Sequence, residues 1–307
     1  MKRWQRILLI SLGALVVVLG IAYYWLLVES SMPSDAHFAL DIEALRRLAS
    51  EVAGEKPSRI EVERVGAFEF PAGLVVAGDG WSMTPMPVYS YRAMYPQGSA
   101  IIDTALEKSM APGNLAAFDA QAYARMQGAM PSASLIVVTH EHMDHIGGLM
   151  VHPRLAKFLP SLRLTKEQLA HPELSAPASF PKEVLQQLAP IDYATYKAVA
   201  PGIVLIKAPG HTPGSQMVFV QTASGAEFLF LGDVAWHMRN IELQRERARM
   251  ITALFLHEDR TAVFGQLAAL HQLHASQPKL HIVPGHDGLV VDALIASGDL
   301  KSQFSAN

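Results

Sequence analysis

The sequence predicts an α/β architecture: two strand-rich blocks, each followed by helices, pack as two sheets face to face with helices outside, behind one N-terminal transmembrane helix. Three observations carry this. Ile7 to Val28 runs 22 residues without a charge. Short runs rich in Val, Ile and Leu, separated by Gly, Pro and Ser clusters, occupy residues 59–138 and recur over 203–283. Histidines and aspartates stand directly at the ends of several of these runs.

As a helix, Ile7–Val28 would be about 33 Å long, enough for a hydrocarbon core of about 30 Å. Lys2, Arg3 and Arg6 precede it, and Tyr23, Tyr24 and Trp25 suit the interface at its far end. By the positive-inside tendency the chain after Glu29 is carried across, leaving the rest on the extracytoplasmic side. A cleaved signal is the rival, although its apolar region is normally only about 7 to 15 residues. Residues 1–29 are thus read as the anchor, 30–58 as a tether with an opening helix, and 59–307 as one folded domain.

Within 30–58, Met32-Pro-Ser-Asp35 is turn-like, and Leu40, Ile42, Leu45 and Leu48 recur at helical spacing. Strands are expected at Arg59–Val65, Gly73–Ala77, Pro87–Arg92 and Ser99–Ile102, then a helix over Asn114–Met130 and a strand at Ser134–Val138. The second block reads as strands at Ile203–Lys207, Gln216–Gln221 and Glu227–Leu231. Helices over Ile241–Leu254 and Thr261–Ala275 and a last strand at Leu280–Val283 complete it.

With 307 residues, half of them hydrophobic, the chain can bury one large core or two modest ones. Charged residues make up 17% and the net charge is -3, so there is no electrostatic footprint for nucleic acid and no polyanionic partner is suggested. There is no cysteine. Disulfides, thiolate metal sites and cysteine nucleophiles are excluded together, so any metal must be held by imidazole and carboxylate.

That inventory bears on Thr-His-Glu-His-Met-Asp-His-Ile-Gly-Gly, residues 139 to 148, directly after an apolar strand. Charge there is costly to desolvate unless a metal neutralises it. His140 and His142, two apart, can point the same way, while Asp144 and His145 serve a neighbouring point. His211, Asp233 and His286 each follow a glycine at a later strand end, as expected where backbone must approach a site closely.

The constellation resembles the metallo-β-lactamase superfamily from about Arg59 to His286, with His-x-His-x-Asp-His, Gly-His211-Thr-Pro-Gly, Gly-Asp233 and Pro-Gly-His286 in the family's order. The resemblance implies an αβ/βα sandwich with the site along one edge. It implies that His140, His142 and His211 hold a first divalent metal, that Asp144, His145 and His286 hold a second, and that Asp233 bridges them. Asp103, at the end of an earlier strand, would support the site without binding metal. Zinc is the first choice, and the ligand set also suits iron or manganese. A hydroxide shared by the two metals would attack a carbonyl, with Asp144 moving the proton.

Within the family, Asp233 argues against β-lactamase as the main activity, and His142 argues for hydrolysis over oxygen reduction. Only 21 residues follow His286, too few for the helical C-terminal domain usual in glyoxalase II-type thioesterases. Cleavage of a small-molecule substrate, a lactone or related carboxylic ester, comes first. A phosphodiesterase or phosphotriesterase, and β-lactamase as a minor activity, stay open, as do a metal-stabilised envelope binding protein and a one-iron sulfur dioxygenase. The tyrosine that homoserine-lactone lactonases often carry three residues after the bridging aspartate is replaced here by Trp236, followed by His237. Both are candidate substrate-binding residues.

The remaining histidines are read as structural: His37, His152, His171, His257 and His281, with His271 and His274 on a solvated helix. Glu141 is expected to face solvent. Trp81 to Pro87 reads as a strand lead-in or a substrate-gripping loop, and the apolar segment Ala253 to Leu256 would permit a dimer.

Overall fold

The computed structural model describes residues 2–306. Its first element is a helical rod, Arg3–Tyr23 continued by π-helical Tyr24–Val28, apolar over nearly its whole length and with no residue buried. It is long and apolar enough to cross a membrane.

The rod does not end in a free tether. The Leu27 carbonyl accepts from the Gly78 amide at 2.9 Å, Ser30 Oγ from the Glu246 amide at 3.1 Å, and the Ser31 carbonyl from Arg260 at 2.6 Å. Further on, a Cβ at Gly265 would stand 2.7 Å from the His37 backbone, so the segment lies flat on the helix Arg260–Ser276. It then forms Ile42–Leu48, capped by Asp41, whose carboxylate accepts from the Ala44 amide at 3.0 Å.

Among the described residues, the strands form two sheets. The first holds β1 (Arg59–Pro71), β2 (Met83–Met94), β3 (Ser99–Ile102), β4 (Leu115–Phe118), β5 (Leu135–Val137) and a terminal β11 (Leu300–Ser302), in the order β11-β1-β2-β3-β5 with β4 also on β1. The second runs β10-β9-β8-β7-β6 from Leu280–Val283, Glu227–Phe230, Gln216–Gln221, Ile203–Lys207 and Tyr196–Ala200. The two-residue period of the strands sorts their side chains. On β7, Ile203 and Leu205 join Ile60, Val62, Tyr91 and Val137 between the sheets, while Val204 and Ile206 face outward against Leu267 and Leu270 of the helix Arg260–Ser276. The first sheet's outer face is covered by Met126 of Ala120–Ala129 and by Ile146 and Leu149 of Met143–Met150. The result is a four-layer αβ/βα sandwich.

Local pattern failed where tertiary pairing intervened. The expected helix over Asn114–Met130 starts only at Ala120, because Leu115–Phe118 pairs with β1, Gly66 opposite Phe118, just past a bulge that redirects β1. The expected strand at Gly73–Ala77 is instead a helical turn, Ala72–Val75, whose Gly73 amide is held by the Gly80 carbonyl at 2.7 Å. Ile241–Leu254 is also no single helix. It breaks into Met238–Glu242, a turn with Gln244 at φ 50°, and the helical stretch Arg249–Leu256.

Candidate metal centre

The parallel strands β3 and β5 end side by side, and this places Asp103 beneath the histidine loop. Asp103, at φ 59°, accepts from the Thr139 amide at 2.6 Å and from Thr139 Oγ1 at 2.8 Å. The chain then turns through His140 and His142, and His142 caps the helix Met143–Met150, so Asp144 and His145 occupy its first turn. His211, Asp233 and His286 come from loops following β7, β9 and β10. Gly285 permits the last of these approaches: a Cβ there would lie 2.4 Å from Asp233 Oδ1.

The seven side chains meet in two groups. In the first, His142 Nδ1 is 3.1 Å from His140 Nε2 and 2.9 Å from His211 Nε2, and Asp233 Oδ2 is 3.8 and 3.4 Å from those same two Nε2 atoms. In the second, Asp233 Oδ1 lies 3.3 Å from His145 Nε2 and 3.1 Å from His286 Nε2, with Asp144 Oδ2 3.7 Å from both. Donors about 2.0 to 2.2 Å from one cation stand about 3 to 4 Å from each other, so both groups have the separations a divalent metal requires. The buried atoms His145 Nε2 and Asp233 Oδ1 have no hydrogen-bond partner, although stranding such groups is costly. A shared cation would satisfy both. The residues fit two metals, with one oxygen of Asp233 in each group.

The opposite ring nitrogens are held in place. His145 Nδ1 is 2.9 Å from Asp103 Oδ2, His211 Nδ1 2.5 Å from Glu258 Oε1, His286 Nδ1 2.8 Å from the Pro87 carbonyl, and His140 Nδ1 3.2 Å from Thr139 Oγ1. Each contact leaves Nε2 facing the centre, the arrangement that orients metal-binding imidazoles. Burial pushes His142 down to about 3 and His140 well below the ordinary histidine range, so both are neutral and able to ligate near pH 7. Burial opposes charge on His145 and His286 too, but the surrounding carboxylates, Asp144 and Asp233 above all for His145 and Asp233 for His286, raise them. That second pocket is therefore built to hold positive charge.

Beside the two groups lies a cavity of about 460 Å³ that reaches His142, Asp144, His211, Asp233 and His286. Its other wall is apolar: Phe68, Phe70, Met86, Ile251, Phe255 and Leu256. Trp236 lines it as well, but its indole N–H turns back and donates to Asp233 Oδ2 at 2.7 Å, so its polar atom serves the centre. His237 is not among the lining residues. It caps Met238–Glu242, and its ring sits against the backbone of Pro85 and His286, where burial lowers its pKa.

Two carboxylates escaped the sequence reading. Glu141 is fully buried, contrary to the expectation that it faces solvent. It accepts from Thr212 Oγ1 at 2.7 Å and the Gly214 amide at 2.9 Å, tying the histidine loop to the loop that carries His211. Its burial raises its pKa. Glu258, pinned by Arg247 and set behind His211, follows no ligand spacing, and no local pattern marks it.

The model of the metallo-beta-lactamase superfamily matches residues 84–286. No curated protein matches. Solved structures with the same fold include an N-acyl homoserine lactone hydrolase with N-hexanoyl-L-homoserine at its catalytic metal center, 18% identical with a TM-score of 0.60, covering 78% of this chain and 96% of that one. A dizinc quorum-quenching lactonase is 13% identical with a TM-score of 0.54, covering 76% and 89%. A probable metal-dependent hydrolase from Staphylococcus aureus is 11% identical with a TM-score of 0.58, covering 76% and 91%. At such identities the likeness is one of fold. The match across residues 84–286, together with the two-sheet sandwich, makes this chain a member of the metallo-beta-lactamase superfamily.

Proposed function

We propose that the chain is a membrane-anchored two-metal hydrolase that cleaves a lactone or related carboxylic ester. One observation carries the reading: two donor groups share the oxygens of Asp233 and open onto a largely apolar cavity. His140, His142, His211 and Asp233 would hold one cation, and Asp144, His145, His286 and Asp233 the other, zinc first and iron or manganese also suited. When bound, such a pair supplies a water acidic enough to serve as nucleophile near neutral pH and polarises the substrate carbonyl.

The residues of the chain do the rest. Asp144, partly exposed and lining the cavity, accepts a proton from the attacking water and returns it to the departing alkoxide. The acyl carbon–oxygen bond breaks, the acyl carbon gains the hydroxyl, and the alkoxide oxygen gains the proton. Phe68, Phe70 and Met86 exclude water and suit an acyl group. Among the described residues, neither lysine nor arginine lines the cavity, which favours a neutral ester over an anionic phosphoester. Lys2, Arg3 and Arg6 before the apolar rod support an extracytoplasmic catalytic domain, by the tendency of basic flanks to stay in the cytoplasm.

The test is metal content by mass spectrometry of the full chain in detergent, with hydrolysis of lactones, aryl esters, nitrocefin and bis(p-nitrophenyl) phosphate. Two equivalents of metal, and lactone or ester turnover lost in His142→Ala and Asp233→Ala, is the expected result. One equivalent or none, with no turnover after zinc, iron or manganese is restored, would overturn the two-metal mechanism and leave the envelope binding protein as the reading instead.

A further inference from the structure

The end of the apolar rod and the mouth of the cavity are joined by two short stretches of chain. Trp81 meets the rod at Tyr23, with ring centroids 6.4 Å apart and the indole N–H 3.4 Å from the Tyr23 hydroxyl. Five residues later Met86 lines the cavity. Arg249 meets the rod at Trp25, its guanidinium 4.5 Å from the ring centre, and also pairs with Glu29. Two to seven residues later Ile251, Phe255 and Leu256 line the cavity. A helical rise of about 1.5 Å per residue carries the chain only about 9 Å from Arg249 to Phe255.

Tyr23, Tyr24 and Trp25 stand near the far end of the apolar run, the position at which aromatic side chains settle at the boundary between lipid and water. Their partners Trp81 and Arg249 therefore lie at the same depth, and the rod is bonded to the domain at Leu27, Ser30 and Ser31 rather than hinged. The same border carries large apolar side chains turned outward: Trp81, Met83, Leu254 and Phe255 are 54, 56, 58 and 69% exposed. Phe255 is both the most exposed of the four and part of the cavity wall, so it stands on the rim. Apolar side chains exposed on the two segments that run between the rod and the cavity wall, beside a helix long and apolar enough to span a membrane, match a lipid surface.

We propose that the cavity opens onto the bilayer and that its substrate is a lactone or ester with a long acyl chain, drawn from the lipid rather than from water. Leu254, Met83 and Trp81 rest in the interface. The acyl chain passes Phe255 and Leu256 into the wall formed by Phe68, Phe70 and Met86, and the ester group reaches the metal centre. The hydrolysis rests on the reading above; the lipid contact stands on the docking geometry alone.

Because the chain has no cysteine, Leu254→Cys in the full protein takes a single spin label, and Leu185→Cys, exposed on a different helix, serves as its reference. In phosphatidylcholine/phosphatidylglycerol vesicles the label at 254 is expected to be shielded from an aqueous nickel chelate and open to oxygen, and the label at 185 the reverse. Equal exposure of both to the chelate would overturn the proposal, and so would shielding of 254 from both probes, which would place a second copy of the chain there. Turnover of a dodecyl-substituted lactone is expected to be at least tenfold faster when it shares the enzyme's vesicles than when it is added in separate ones. Met83→Glu with Leu254→Glu should remove that advantage while hydrolysis of γ-butyrolactone in water continues. Equal rates from both vesicle populations would overturn the substrate class. If the label lies in lipid but no lactone or ester is cleaved by metal-loaded protein, the hydrolase reading fails and the lipid contact stands.

Discussion

Glu258 stands directly behind His211, its Oε1 2.5 Å from the ring Nδ1, and the same oxygen is bonded by Arg247. All three side chains are at most 1% exposed. Arg247 in turn rests 4.8 Å above the ring of Trp236, whose N–H holds Asp233. Burial alone would raise Glu258, but Arg247 and His211 more than offset it, so the carboxylate stays ionised. Glu258→Gln should weaken binding of the cation held by His140, His142 and His211 by about 10 to 100-fold, while the other site keeps its metal. Chelator competition on protein shown to be folded by circular dichroism reads this, and retention of both metals at wild-type affinity would refute it.

Asp103→Asn should have the mirror effect. Asn has one acceptor oxygen where Asp103 uses two, for the Thr139 amide and for His145 Nδ1. His145 then loses the contact that aims Nε2 at the second group. About 10 to 100-fold weaker binding is expected at the second site only. Metal analysis after dialysis should give one equivalent rather than two.

Gly285→Ala adds a single methyl group where the nearest atoms are Asp233 Oδ1 at 2.4 Å and the Gly232 carbonyl at 2.7 Å. Asp233 serves both groups, so both metals should be lost together, alongside a stability cost of about 1 to 3 kcal/mol. Calorimetry with metal analysis would show it. A variant that keeps two equivalents would show that the loop relaxes freely.

Far from the centre, Glu61 and Arg92 form an ion pair at 2.6 Å with both side chains at most 2% exposed, and the Ser305 amide donates to the same carboxylate at 3.0 Å. Burial raises the Glu61 pKa, but bonds from Arg92 and Ser305 outweigh it and hold it below the ordinary value of 4.5. A depressed carboxylate adds stability that is fully present above its unfolded pKa and is lost as pH falls through the folded one. Glu61→Gln should therefore cost about 3 kcal/mol at pH 7, where it removes the carboxylate charge facing the buried Arg92 guanidinium, and the gap should narrow below about pH 4. Urea unfolding at pH 7 and pH 3.5 measures both. A gap independent of pH would assign the loss to packing.

Much of the fold was legible where a strand is buried on both faces. Ile203–Lys207, Gln216–Gln221 and Leu280–Val283 have the expected bounds because a continuous apolar run needs no partner to be recognised. Strands defined by their neighbours were not. The three residues of β11 carry no pattern of their own and exist because Ile60 to Val62 offers them an edge, and Leu115–Phe118 became a strand against its helical surroundings for the same reason.

The sequence by itself determined the apolar N-terminal rod, the absence of thiolate chemistry, and an ordered set of histidines and aspartates at strand ends. These depend on residue type and short spacing, which a linear chain displays directly. Tertiary structure alone decided the burial of Glu141 against Thr212 and Gly214, the support of His211 by Glu258, the inward turn of the Trp236 N–H, and the contacts of Trp81 with Tyr23 and of Arg249 with Trp25. Apart from the short Trp236–Asp233 link, these join residues tens to hundreds of positions apart. Hydrogen bonds and ring contacts between distant segments leave no period in the chain, because they form only once packing has brought the strand ends to one edge.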